Sequence, residues 1–236
     1  MVGDRKFLIA NLVGKDEQPL KKYIFVGGWF CAKSRHWDTR ELLKVKGLDY
    51  AGCLSNFKHN GKVMTILEEI QNEAWFALVS IYTHQELMGT LASSPTRYEM
   101  GNQFVALNAI VELLILRIAR LADKTKKVRN TEMLLKKGTY PGTYDDVKLA
   151  ADRFMSFATP IVKIRHEEIA HMKLGIVSTY EPRIIPTEAL RATESLIELI
   201  DVAYDQYQSY SYRVGSREPE VDLRASVVAG KRVFVK

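Results

Sequence analysis

The sequence predicts an all-α fold: an up-and-down bundle of long helices over residues 63–212, preceded by a poorly patterned extension (1–62) and followed by a tail (213–236). Three observations carry this. Apolar residues recur at three- and four-residue steps over long stretches, which is the period of one helix face. Capping residues and Gly or Pro breakers fall between those stretches. Upstream of Val63 that period is missing.

Residues 1–62 show little sustained periodicity. Tyr23–Val26 reads as a short strand that Gly27-Gly28 would end, and the aromatics Trp29, Phe30 and Trp37 are scattered. One reading makes Met64 the start of the folded domain and the upstream part an extension; a small accessory module is the competitor.

The first helix carries Ile66, Leu67, Ile70, Ala74, Ala77, Leu78, Ile81 and Leu87 on one stripe. Ser93-Ser94-Pro95 ends it and opens the second, because serine caps and proline is tolerated at the first helical position. The second stripe is Phe104, Leu107, Val111, Leu114, Ile115, Ile118 and Leu121. A basic connector, Lys124–Arg129, precedes a short helix over Thr131–Lys137, capped by Asn130 and closed by Gly138. Thr143 caps the next helix, with Asp145 and Asp146 at its positive end. Pro160 either kinks that helix or starts a new one running to Leu174, where Gly175 stops it. After the linker Pro182–Pro186, a last helix is expected over Thr187–Tyr212, with Leu190, Leu196, Ile197, Ile200, Ala203, Tyr204 and Tyr207 on its apolar side. Val227–Val235 reads as an edge strand or a tail.

Composition bounds the function classes. A hydrophobic fraction of 47% in 236 residues fills a core, and 26% charged residues is ordinary for a folded chain. The net charge of +6 points towards nucleic acid until it is divided. Residues 1–62 hold 12 Lys/Arg and 6 Asp/Glu, which leaves 22 of each sign beyond them. The basic excess therefore belongs to the extension. Cys31 and Cys53 are too far apart for a disulfide framework or a zinc set and read as free thiols in a reducing compartment. The most apolar stretch, Ala109–Leu121, contains Glu112, Arg117 and Arg120, so no membrane span is expected. With no targeting pattern either, the expected localisation is cytoplasmic.

No P-loop, dinucleotide fingerprint or nucleophile turn occurs in the sequence. His36, His59 and His84 have no sequence partners, and His84 on a long helix reads as a packed or surface residue. The segment Ile164–Lys173 is different. It begins with His166-Glu167 and holds a second histidine, His171. Two histidines that share a zinc on a helix stand four apart, however, and these are five apart, about 140° round an α-helix. No metal site is expected there, and no cofactor.

Arg165 and His171 remain. On an α-helix they lie about 120° apart and roughly 9 Å along the axis, so two copies facing each other would cluster guanidiniums and imidazoles more readily than one. The ordinary alternative is a surface ion-pair ladder, since Glu168 is three residues from both.

The block RHEEIAHMK, residues 165–173, resembles the Arg–polar–x–x–x–Ala–His signature of HEPN domains, which are helical bundles of prokaryotic defence and toxin–antitoxin systems. Ile118–Asp123 and Asn130–Leu135 fit the abortive-infection branch of that superfamily, in the same helix order over residues 63–212. The resemblance implies a metal-independent endoribonuclease working as a homodimer on RNA, with a possible cognate antitoxin protein. It nominates Arg165 and His171 as catalytic, with His166 as the usual polar residue after the arginine and Glu168 in support. Arg120 and Asp123 match a pattern that reads as a structural ion pair. Lys124, Lys126, Lys127 and Arg129 are candidate contacts to the RNA backbone, or else a solvated loop. The alternative function is a non-catalytic helical module that binds a protein partner.

Overall fold

A computed structural model of the chain describes residues 64–94, 96–125, 128–170 and 181–235. These residues form six α-helices and a small antiparallel strand pair. The helices are α1 (Ile66–Thr90), α2 (Arg97–Ala122), α3 (Thr131–Lys137), α4 (Tyr144–Ile164), α5 (Thr187–Tyr204) and α6 (Leu223–Ala229).

The four long helices close a ring in sequence order: α1 packs on α2, α2 on α4, α4 on α5, and α5 back on α1. This up-and-down arrangement is the simplest way to bury four apolar stripes at once. The stripes expected from the sequence face inward. Ile70, Ala74 and Ile81 of α1 meet Val111, Leu114, Ile115 and Ile118 of α2 in one core with Phe154 of α4 and Leu196, Leu199 and Ile200 of α5.

Local chemistry sets the helix starts. Thr65 and Glu68 form a reciprocal capping box on α1. Asn130 caps α3 by accepting from the Met133 amide at 2.7 Å, and Thr143 caps α4. For α2 the cap is Thr96, not a serine: its hydroxyl accepts from the Glu99 amide at 3.1 Å, while Ser94 bonds Gln103 instead. Gly138 closes α3 for a steric reason. Its φ is negative, but a Cβ there would lie 2.4 Å from the Leu134 carbonyl oxygen.

Two expectations are corrected. The last long helix ends at Tyr204 rather than Tyr212, because Asp205 adopts a left-handed conformation (φ 53°) and turns the chain. Tyr207, beyond that turn, is exposed, and so is Leu190 in the first turn of α5, off the buried stripe. Beyond that point, β1 (Ser211–Tyr212) pairs with β2 (Val221–Asp222), and Val221 bridges Phe234. The expected tail is therefore part of the fold. It lies along α1: Trp75 Nε1 donates to the Ser211 carbonyl at 2.8 Å, Gln85 to that of Val227, and Arg232 Nε to the Tyr82 hydroxyl. Tyr210 and Leu223 are buried in the common core.

Leu223→Ala should thus lower stability by about 2–5 kcal/mol, the usual cost of a large-to-small change at a fully buried site. Val228→Ala, at a side chain 90% exposed, should leave the urea midpoint unchanged. Equal midpoints for the two variants would show that residues 213–235 do not share the core.

Candidate functional site

Pro160 neither breaks nor restarts the helix; α4 runs through it to Ile164, held down by buried Phe154, Ala158 and Ile161. Immediately after Ile164 the backbone widens into a π-helical turn, Arg165–Ala170, which carries the Arg-His-Glu-Glu segment. Such turns close i→i+5 hydrogen bonds; they are rare and occur frequently at functional sites. The α-helical angles separating His166 and Arg165 from later residues do not hold on this backbone. His171 itself lies outside the described residues, as do Lys126 and Lys127.

The π turn packs on α2. Arg165 is half-buried, and its amide is shared between the Ile161 and Val162 carbonyls. The nearby acid that feels its charge is Asp123, the residue at which α2 ends. The Asp123 carboxylate accepts from the Thr125 hydroxyl at 2.6 Å and the Thr125 amide at 2.9 Å. Those two bonds hold its carboxyl below the usual range, and Arg165 adds to the effect.

The expected Arg120–Asp123 pair is not formed. Asp123 has left the helix in an extended conformation (ψ 135°), so it is off the row that residues three apart share, and it bonds Thr125 instead. Arg120 is exposed. Both residues line a cavity of about 530 Å³ together with Glu69, Glu73, Arg117 and Arg129.

Glu73 organises that cavity. One carboxylate oxygen takes Arg117 Nη1 at 2.6 Å and the other takes Arg129 Nη1 at 2.9 Å. The Arg117 guanidinium also lies 4.3 Å over the Phe76 ring, and Arg129 reaches Glu69 at 3.4 Å. Arg129, nominated as an RNA-backbone contact, is therefore neutralised within the fold by two glutamates of α1. Lys124 is exposed and fits that role better.

Glu168 has a partner outside its own segment. It pairs with Arg183, which lies in the proline-flanked linker before α5 and also approaches Glu112 at 3.8 Å. The linker is pinned at the same residue: the Arg183 amide donates to Asn108 at 2.7 Å, and His84 Nε2 donates to the Arg183 carbonyl at 2.7 Å. His84 is thus a packed residue, buried where it braces this linker. Arg183 escaped the sequence reading because its partners are far away along the chain. His166 is exposed on the π turn.

A wider groove of about 970 Å³ flanks the start of α4 and the end of α5. Asp146, Asp152, Glu198, Asp201 and Asp205 line it with Arg153, so it repels phosphate and is a poor site for RNA. Among the described residues, no three His, Cys, Asp or Glu side chains gather to hold a metal ion, and no helix is long and apolar enough to cross a membrane.

Glu168 and Arg183 are each about a third exposed, at 31% and 33%. A double-mutant cycle with Glu168→Ala and Arg183→Ala should give a coupling of about 0.5–1 kcal/mol in stability. Additive effects would mean that Glu168 is held by something other than Arg183.

No family model matches the chain, and neither a characterised protein nor a solved structure is significantly similar to it.

Proposed function

We propose that the chain is a HEPN-type, metal-independent endoribonuclease that acts on RNA as a homodimer, in the role of a toxin-like effector of phage defence. The observation that carries this reading is the setting of Arg165. It stands half-buried at the head of a π-helical turn that packs on α2 and whose Glu168 pairs with Arg183.

The chemistry asks little of the protein. RNA carries its own nucleophile, so the enzyme supplies proton transfer and charge stabilisation. His171 takes the proton of the 2′-hydroxyl; the freed oxygen attacks the adjacent phosphorus. The bond to the 5′-oxygen breaks, and that oxygen leaves with a proton from a second carrier, His171 of the other copy. The products are a 2′,3′-cyclic phosphate and a 5′-hydroxyl. Arg165 presents a planar, permanently charged fork to the phosphate oxygens, where charge builds in the transition state. Asp123 adds a negative charge that Arg165 feels, and Lys124 is available to the neighbouring phosphate backbone.

The purified chain should cleave single-stranded RNA in excess EDTA and leave 2′,3′-cyclic phosphate ends. His171→Ala should lose on the order of 10²–10⁴ in rate with its fold intact. Arg165→Ala should be similarly impaired, and Arg165→Lys should rescue poorly, because an ammonium lacks the bidentate fork. His166→Ala should do less harm. Cleavage that persists undiminished in both the Arg165 and His171 variants would overturn the assignment and leave a helical interaction module as the reading.

A further inference from the structure

Between α1 and α2 one ion pair is closed and the next is open. As consecutive helices of an up-and-down bundle the two run antiparallel, so a step towards the end of α2 matches a step back along α1. Arg117 and Glu73 form the closed pair. One turn further, Arg120 shares the face of Arg117, and Glu69 shares that of Glu73. Both residues line the cavity of about 530 Å³, yet no ion pair joins them. The exposed Arg120 guanidinium has no partner among the described residues. The Glu69 carboxylate has one contact there, from Arg129 Nε at 3.4 Å, and its side chain is 34% exposed.

The charges of the lining say what this space can hold. Arg117, Arg120 and Arg129 are balanced by Glu69, Glu73 and Asp123. An anion gains little from such walls, because the carboxylates repel what the guanidiniums attract. A neutral ring with donors on one edge and acceptors on another gains from both. Asp123 is already bonded to Thr125, and Arg129 to Glu73. That leaves Glu69 to accept and Arg120 to donate. A carboxylate has room for about four hydrogen bonds and a guanidinium for five, so the single Arg129 contact does not fill Glu69.

We propose that the cavity seats an unpaired guanine, held by Glu69 on one edge and Arg120 on another. Guanine alone among the four RNA bases sets two donors side by side, N1–H and the N2 amino group, and a carboxylate takes both. Its O6 and N7 acceptors fit an arginine fork. Adenine meets that fork with a donor beside its acceptor, and neither cytosine nor uracil offers adjacent donors to Glu69. The volume lies within the range of small-ligand sites, about 300–1,000 Å³, and Leu121 and Val128 give the lining an apolar part. Where the guanine belongs to RNA rests on the ribonuclease reading. Single strands leave such base edges open. Asp123 of the same lining feels the charge of Arg165, and the π turn that begins with Arg165 packs on α2. The seated base is then that of a nucleotide beside the phosphate that Arg165 holds, and cleavage is guanine-selective.

Titration calorimetry on the full chain should show guanosine monophosphate binding about 5- to 150-fold more tightly than adenosine monophosphate, the discrimination of one good bidentate pair. Inosine monophosphate, which lacks the N2 amino group, should fall between them. On an oligoadenylate RNA with one internal guanine, cleavage should concentrate beside the guanine, and inosine in its place should weaken that preference. Glu69→Gln should bring both ratios close to one with unchanged circular dichroism, because an amide has a single acceptor and cannot take two donors. Arg120→Ala should lower them as well. Equal binding of the guanosine and adenosine nucleotides by the wild-type chain would overturn the inference, and so would a preference that survives Glu69→Gln. RNA cleavage that ignores guanine would remove this inference and leave the ribonuclease reading standing. Guanine-selective binding without RNA cleavage would do the reverse, keeping the site as one for a free guanine nucleotide.

Discussion

Glu73 holds together the corner of the bundle on which the candidate site stands. Its side chain is 14% exposed and that of Arg117 is 18%, so both charges have given up most of their water. Removing one partner from such a pair strands the other, at a cost that reaches about 3–5 kcal/mol when burial is complete. Arg117 depends on the pair especially, because its Nε is buried without a hydrogen-bond partner among the described residues. The second carboxylate oxygen fixes Arg129, and so the far end of the connector that leaves α2 at Asp123. One carboxylate on α1 thus ties α2, through Arg117, to the connector that follows it, through Arg129.

That arrangement changes what the basic residues mean. Arg129 reads as a phosphate contact in sequence, yet Glu73 and Glu69 answer its charge in place. Affinity for an anionic backbone scales with the cations that are free to release counterions. Arg120 and Lys124, exposed at the rim of the same cavity, are better placed to do so. The acidic groove between α4 and α5 would keep RNA away from that side of the bundle.

Most of the bundle was legible because burial in a helical ring imposes the 3.6-residue period directly: Leu107, Val111, Leu114, Ile115, Ile118 and Leu121 were identifiable on sight and are buried. Caps at Asn130 and Thr143 were legible because they act within three residues. The features that escaped are set by partners distant along the chain or by backbone that departs from the period. Tyr207 continues the apolar pattern of α5, but Asp205 has already turned the chain. Val221 and Leu223 lie in a segment too short to show a period, and only α1 makes them core residues. The Arg165–Ala170 segment was legible as a motif, yet its π-helical form was not, because nothing in Arg-His-Glu-Glu-Ile-Ala distinguishes it from a regular turn. The Glu168–Arg183 pair escaped as well, because its two residues lie on different segments.

The π turn packs on α2, so that helix is the floor of the candidate site. Arg120 and Asp123, near and at the end of the same helix, line the cavity beside it. In the proposed chemistry the second proton carrier comes from the other copy, so assembly and catalysis are coupled: a change that separates the copies removes that carrier even where Arg165 is untouched.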